Sequence, residues 1–241
     1  MKYVASCSFG KDSLATIILA IAYGEPLDAV VYARVMFDEN RSAEPPEHED
    51  FIFNVAIPWI ESFGIKVHVI QSEKTFKDVF YHERTRGNNI GKIVGFPLQG
   101  KCEVNSGCKR PVFEKANKLF FGEDVIQYVG IAIDEPNRLK RLKDNQVSLL
   151  AKYGYTEAMA RYLCLWYGLL SPMYSYSNRG GCFFCPNTRI TTLAHLRKCY
   201  PDIWDELLKM SATPNKIKDT FNRTETLEQI DQRLKEAETL E

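Results

Sequence analysis

The chain has no surplus of either charge: Lys plus Arg and Asp plus Glu both number 31 in 241 residues. That balance excludes bulk collection of nucleic acid by counterion release, so a nucleic-acid partner needs a local basic patch. Long apolar runs are missing as well. Residues 1–6 lead straight into a glycine turn with no stretch suited to a secretory signal or a membrane span, so a cytoplasmic location and no membrane partner are expected. There is no internal repeat, no low-complexity segment, and no G-x-x-x-x-G-K-S/T spacing of the Walker type. Cys7, Cys102, Cys108, Cys164, Cys182, Cys185 and Cys199 make seven cysteines, an odd number without an export signal. This favours thiols or thiolate ligands over a disulfide framework. What is present, 45% hydrophobic and 26% charged residues, is ordinary globular composition with ample material for a core.

Along the chain, residues 3–7 read as a short buried strand. Gly10 breaks it before 14–22, an apolar run too long for a strand and therefore a buried helix. A second β-branched run, 28–37, places Asp38 at its carboxyl end, which completes a βαβ unit. Helical spacing over 49–63 and a strand over 66–70 extend the pattern, and 125–129 reads as a further strand. The alternation predicts an α/β fold with a parallel, twisted, Rossmann-like sheet carrying helices on both faces. Residues 72–107, punctuated by Gly87, Gly91, Gly95, Pro97 and Gly100, read as a long functional loop with short helices, and 111–121 looks helical. The nucleotide-binding part is expected to span 1–145. Residues 146–241 then form a small, mostly helical appendage, with helices over 156–170 and 190–210 flanking a C-x-x-C turn. In the tail, Leu227, Ile230, Leu234 and Ala237 share a helix face and Thr226 with Gln229 can form a capping box; that face suits packing on the domain or on a second subunit, which makes a homodimer possible.

The loop Ser8-Phe9-Gly10-Lys11-Asp12-Ser13 joins the first strand to the first helix. Such a turn exposes backbone N–H groups at the positive end of a helix, and a glycine allows close approach, so phosphate is the natural occupant. Ser8 and Ser13 can add hydroxyl donors and Lys11 a positive charge. Asp12 is unusual beside an anion unless it holds a metal ion or caps the helix. The bland alternative is that Ser, Gly and Asp merely cap a helix.

The loop resembles the S-x-G-x-D-S signature of the PP-loop ATP pyrophosphatases and the related phosphoadenosine-phosphosulfate reductases, an adenine nucleotide alpha hydrolase-like fold. Phe37-Asp38-Glu39 followed by Pro46-Glu47 is similar to that family's F-D-T-G-x-x-x-P-E segment. Cys102 to Pro111 resembles its cysteine-lysine-proline segment, and Gly130 to Arg138 its G-x-R-x-x-E-S-x-x-R segment, with Ala132 where the family often carries Arg. The resemblance implies ATP lying across the carboxyl ends of the strands with Mg2+. Ser6, Ser8, Gly10, Lys11, Asp12, Ser13, Met36, Asp38, Gly130 and Asp134 would bind the nucleotide, and Lys11, Asp12, Lys109 and Arg138 would be catalytic. Arg141, or Arg84 and Arg179 in place of the missing arginine, can add phosphate contacts.

Cys182 and Cys185 form a half-site after two glycines, and Cys102 with Cys108 can supply the other half; four thiolates suit either a 4Fe-4S cluster or Zn2+. Redox exchange, or four unrelated buried thiols, are the alternatives. The arrangement is similar to that of adenylyl-sulfate reductases and DNA phosphorothioation ATPases, which hold an iron–sulfur cluster. Cys7, Cys164 and Cys199 read as core residues. Three functions compete. The first cleaves ATP between its α and β phosphates and adenylates an acceptor for sulfur or nitrogen transfer; the acceptor is a small molecule or, through the basic run Arg138-Leu139-Lys140-Arg141-Leu142-Lys143, a nucleic acid. The second is sulfonucleotide reduction, which calls for a nucleophilic cysteine on a mobile tail, whereas no cysteine follows Cys199. The third is a non-catalytic nucleotide-binding subunit. Asp12 resembles the pyrophosphatase form of the loop and favours the first.

Overall fold

The computed structural model describes residues 1–97, 102–116, 118, 122 and 124–239. In chain order the elements begin β1 (Lys2–Ser6), α1 (Lys11–Ala22), β2 (Ala29–Arg34), α2 (Pro46–Phe51), a π-helical turn (Ile52–Ala56), α3 (Ile57–Glu61) and β3 (Lys66–Gln71). Then come α4 (Phe76–Phe80), α5 (Arg110–Ala116), β4 (Val125–Tyr128), α6 (Pro136–Leu139), β5 (Gln146–Val147), α7 (Leu149–Lys152) and α8 (Glu157–Trp166). The chain ends in α9 (Ile190–Cys199), α10 (Pro201–Ser211) and α11 (Leu227–Thr239). Among the described residues no helix is long and apolar enough to cross a membrane.

Two compact units share these elements. The first comprises Met1–Arg34, Glu44–Ser72 and Lys109–Gly181; the second comprises Val35–Ala43, Glu73–Cys108 and Cys182–Glu241. This division differs from a boundary near 145. β5 pairs with β4 and α8 packs along α1, so the first unit runs on to Gly181, while the second draws three separate segments together.

The first unit is a five-stranded, all-parallel sheet in the order β3-β2-β1-β4-β5, a Rossmann-like arrangement. Alternation along the strands serves two faces. Ala5, Val30 and Tyr32 face a core with α1, α7 and α8, whereas Val4, Val31 and Val125 pack with Phe113 and Ala116 of α5. Where the expected helix 49–63 ran on unbroken, the π-helical turn Ile52–Ala56 interrupts it just before Pro58, whose nitrogen has no proton to give a continuous helix. The helix also starts earlier, at Pro46, a residue suited to a first turn because its nitrogen has no proton to orphan. The expected strand 28–37 stops at Arg34, and Val35 to Ala43 fold back on themselves through Ala43 N–H to Val35 C=O at 2.9 Å and Phe37 N–H to Arg41 C=O at 2.7 Å.

The second unit is built around aromatic rings. Phe76 and Phe184 stack with centroids 3.5 Å apart and planes 5° from parallel, with Phe37, Phe80, Phe96, Phe183 and Phe221 around them. The expected helix 190–210 is two helices, split at Tyr200 because Pro201 cannot continue α9. Its neighbour α11 carries the capping box of the sequence reading: Gln229 N–H donates to Thr226 Oγ1 at 3.3 Å and Thr226 N–H to Gln229 Oε1 at 2.9 Å. Leu227, Ile230 and Leu234 are buried in this unit's own core, and Ala237 is exposed. The helix expected over 111–121 is seen as α5 up to Ala116; residues 117 and 119–121, like Gly100, lie outside the described residues.

Phe184 is 1% exposed and stacked, so Phe184→Ala is expected to cost about 3–5 kcal/mol, read as a lowered midpoint in urea denaturation.

Candidate functional site

The loop after β1 turns within two residues of the strand's last hydrogen bond. Cys7 N–H still pairs with Val31 C=O at 2.9 Å, and the chain then reverses at Phe9, whose φ of 57° is left-handed. For a bulky side chain that conformation costs on the order of 1–2 kcal/mol. Two contacts hold it: Phe9 N–H donates to Cys7 Sγ at 3.2 Å, and the fully buried ring meets Tyr32 edge-on at 5.1 Å. Gly10, at φ −72°, is not the left-handed residue of the turn. Its lack of a side chain matters for another reason: a Cβ there would stand 3.2 Å from Tyr174 Oη.

The charged residues of the loop pair with each other. Lys11, 8% exposed, places Nζ 2.8 and 2.9 Å from the two Asp12 carboxylate oxygens and 3.7 Å from Glu157. Burial pushes the Asp12 carboxyl up, and Lys11 works against that shift. Ser13 donates its hydroxyl to Gly10 C=O at 2.9 Å. At the start of α1 the Lys11 N–H is taken by Tyr174 Oη at 2.8 Å. No hydrogen bond to a described residue is made by the next two N–H groups, of Asp12 and Ser13, as expected of a first helical turn. Buried thiols flank this turn: Cys164 donates to Lys11 C=O at 3.1 Å, and burial raises Cys7 to about 11 and Cys164 to about 12, which leaves both unreactive. Cys199, by contrast, is exposed at the end of α9 with Sγ 3.8 Å from His195 Nδ1, and so is not a core residue.

The segment leaving β4 lies against the same turn. A Cβ on Gly130 would come within 2.7 Å of Asp12 C and Ser13 N, closer than any side chain tolerates. Beyond it, Asp134 accepts the Glu157 N–H of α8 at 3.1 Å, and Arg138 is held by both Glu135 carboxylate oxygens at 2.6 and 2.8 Å. Ser6 and Gln127 are hydrogen-bonded, and Gln146 Nε2 donates to Gln127 Oε1 at 2.7 Å, a polar row across β1, β4 and β5. Of the sequence-predicted residues, Ser6, Ser8, Gly10, Lys11, Asp12, Ser13, Lys109, Gly130, Asp134 and Arg138 all belong to the first unit.

Two residues of this region had no role in the sequence reading. His48 is 1% exposed, pairs Nδ1 with Ser171 Oγ at 2.8 Å and hydrogen-bonds the Ser8 backbone. Burial lowers its pKa; Glu44 and Glu47 oppose the shift and Lys109 adds to it. Its place directly after Pro46-Glu47, in one of the segments that carried the resemblance, was the available signal. Tyr174 had none, being 163 positions from the Lys11 it contacts.

Met36 and Asp38 belong to the second unit. Asp38 accepts from Asn40 N–H at 3.0 Å and Arg41 N–H at 2.8 Å and lies 3.4 Å from Lys77 Nζ, an arrangement that caps its own turn and holds its carboxyl below the usual range despite opposing burial. All four candidate metal cysteines lie in this unit too. Cys102 is exposed, Cys108 is buried with its thiol 3.5 Å from Lys74 C=O, and Cys182 and Cys185 close a turn by Cys185 N–H to Cys182 C=O at 3.0 Å. Among the described residues no group of three or more His, Cys, Asp or Glu side chains that could hold a metal ion is present.

No family model and no curated protein matches the chain.

Gly130→Ala is expected to lower the thermal midpoint by several degrees, because the methyl meets backbone that cannot swing aside; calorimetry measures it. A second outcome concerns pH. The unfolded His48 takes up a proton near its ordinary 6.5 whereas the folded ring resists, so stability is lost as pH falls through that value. The unfolding midpoint should drop between about pH 7 and about pH 5, and drop less in His48→Gln, with His68, also lowered by burial, supplying part of the remainder.

Proposed function

We propose that the chain binds an adenine nucleotide with its phosphates at the first turn of α1 and cleaves ATP between the α and β phosphates, adenylating an acceptor. One observation carries the reading. β1 lies at the centre of a parallel sheet with β2 on one side and β4 on the other, the point where strand order reverses. Open α/β sheets bind ligands outside the carboxyl ends of the strands at such a point. Both loops that leave it, 8–13 after β1 and 130–135 after β4, are among the segments that resemble the PP-loop proteins, and they touch at Gly130.

In this reaction an acceptor oxygen attacks the α phosphorus, the bond to the β-phosphate oxygen breaks, and pyrophosphate leaves with that electron pair. A nitrogen or sulfur nucleophile then displaces AMP. The N–H groups of Asp12 and Ser13, at the positive end of a 12-residue helix, suit the developing charge on the phosphates. Arg138 can reach an anion by exchanging its exposed pairing with Glu135, a contact of the strength that a phosphate readily replaces. Mg2+ bound to ATP would supply further neutralisation of the leaving pyrophosphate. The exposed Arg138, Lys140, Arg141 and Lys143 suit a nucleic acid as one class of acceptor, a small molecule being the other.

A second reading, nucleotide binding without turnover, has one observation in its favour: Lys11 and Asp12 neutralise each other, so neither is poised for chemistry until a ligand separates them. ATP labelled at the α phosphate tests both. Protein purified anaerobically and given candidate acceptors is expected to release pyrophosphate and form a labelled adenylate or AMP. Tight ATP binding with no turnover under every acceptor selects the second reading, and absence of ATP binding overturns both.

A further inference from the structure

Tyr174 follows Pro172 in a short 3-10 turn, and its side chain is 6% exposed. Its hydroxyl accepts the Lys11 N–H at 2.8 Å. A phenol has one proton to donate, and among the described residues no acceptor takes the proton of Tyr174. Burial pushes this phenol up to about 12, so at neutral pH it is a donor. A buried donor without an acceptor is rare in folded proteins and calls for a partner. Two positions close to the hydroxyl oxygen are glycine. A Cβ at Gly10 would stand 3.2 Å from the hydroxyl, and one at Gly180 would stand 3.6 Å from it and 3.7 Å from Gly10 Cα, so the two positions flanking the oxygen carry no side chain. The ring is held by Arg161, whose guanidinium lies 5.6 Å from the ring centroid and donates to Tyr174 C=O at 3.3 Å.

We propose that Tyr174 is a binding residue of the phosphate site, donating its hydroxyl proton to a phosphate oxygen of the ligand while still accepting the Lys11 N–H. This rests on the nucleotide-binding reading above and extends it: the first N–H of α1 acts through a side chain rather than directly, and the hydrogen bond it makes to the phenol oxygen strengthens the O–H as a donor. The ligand chemistry selected is a pyrophosphate group whose oxygens lie beyond the helix end, with the adenosine portion not required for this contact.

Calorimetric titration with inorganic pyrophosphate and, separately, with adenosine tests it. Tyr174→Phe is expected to weaken pyrophosphate binding by about 10-fold or more, as loss of one hydrogen bond to a charged group does, and to leave adenosine binding unchanged. A purely structural cap would weaken both ligands together or neither, and either result overturns the proposal, as does tighter pyrophosphate binding in the variant. Wild-type protein that binds neither pyrophosphate nor ATP overturns the underlying site as well, which separates the two failures. Should Tyr174→Phe not fold, Gly180→Ala serves: its new methyl makes only ordinary contacts in the free protein, so it should fold and bind pyrophosphate several-fold more weakly. Pyrophosphate binding equal to wild type in that variant overturns the role of Tyr174.

Discussion

The first unit depends on how closely two loops approach at the carboxyl ends of β1 and β4. Gly130 lies where a single Cβ would enter the backbone of Asp12 and Ser13. Any side chain at 130 would push the first turn of α1 away from the segment that leaves β4. The polar row Ser6, Gln127 and Gln146 keeps the neighbouring strand ends in register just below. Because α1 also packs on α7 and α8 through its apolar face, a shift at its first turn would be felt along the main core.

That close approach explains how the loop's charges are spent. Lys11 is drawn inward, where a buried ammonium is tolerable only with a partner, and Asp12 supplies one on the adjacent residue. What the turn presents is then backbone N–H, one of them capped by a phenol, rather than a lysine side chain. On the proposed reading, fixed dipoles of the helix terminus would meet the phosphates without reorganisation. His48 holds the same loop from the other direction through the Ser8 backbone, and its burial links the loop's anchoring to pH.

The second unit follows a different logic. Its segments Val35–Ala43, Glu73–Cys108 and Cys182–Glu241 carry the helices α4, α9, α10 and α11, and packed aromatic rings form much of the core these share. Phe184 belongs to the C-x-x-C turn that reads in sequence as half of a metal site. Both residues between those cysteines, Phe183 and Phe184, are buried in the core of this unit.

The alternation of apolar runs and glycine breaks was enough to read a parallel α/β sheet and to place residues 8–13 between β1 and α1, since those signals are local and periodic. The capping box of α11 and its apolar face were legible for the same reason. Proline effects at Pro58 and Pro201 were visible in the sequence but were overridden in the reading by helical spacing, which continues across each break. Three things were decided by the folded chain rather than by local pattern. The fifth strand is only Gln146–Val147, too short to show a period, and exists because β4 offers it an edge. Tyr174 reaches Lys11 from 163 residues away. The pairing of Lys11 with Asp12, where a phosphate contact was expected, follows from the burial of the lysine. Local patterning determined the elements and the loop; the desolvation of charge and the close packing of Gly130, which exist only once the chain has folded, decided which groups the loop can offer a ligand.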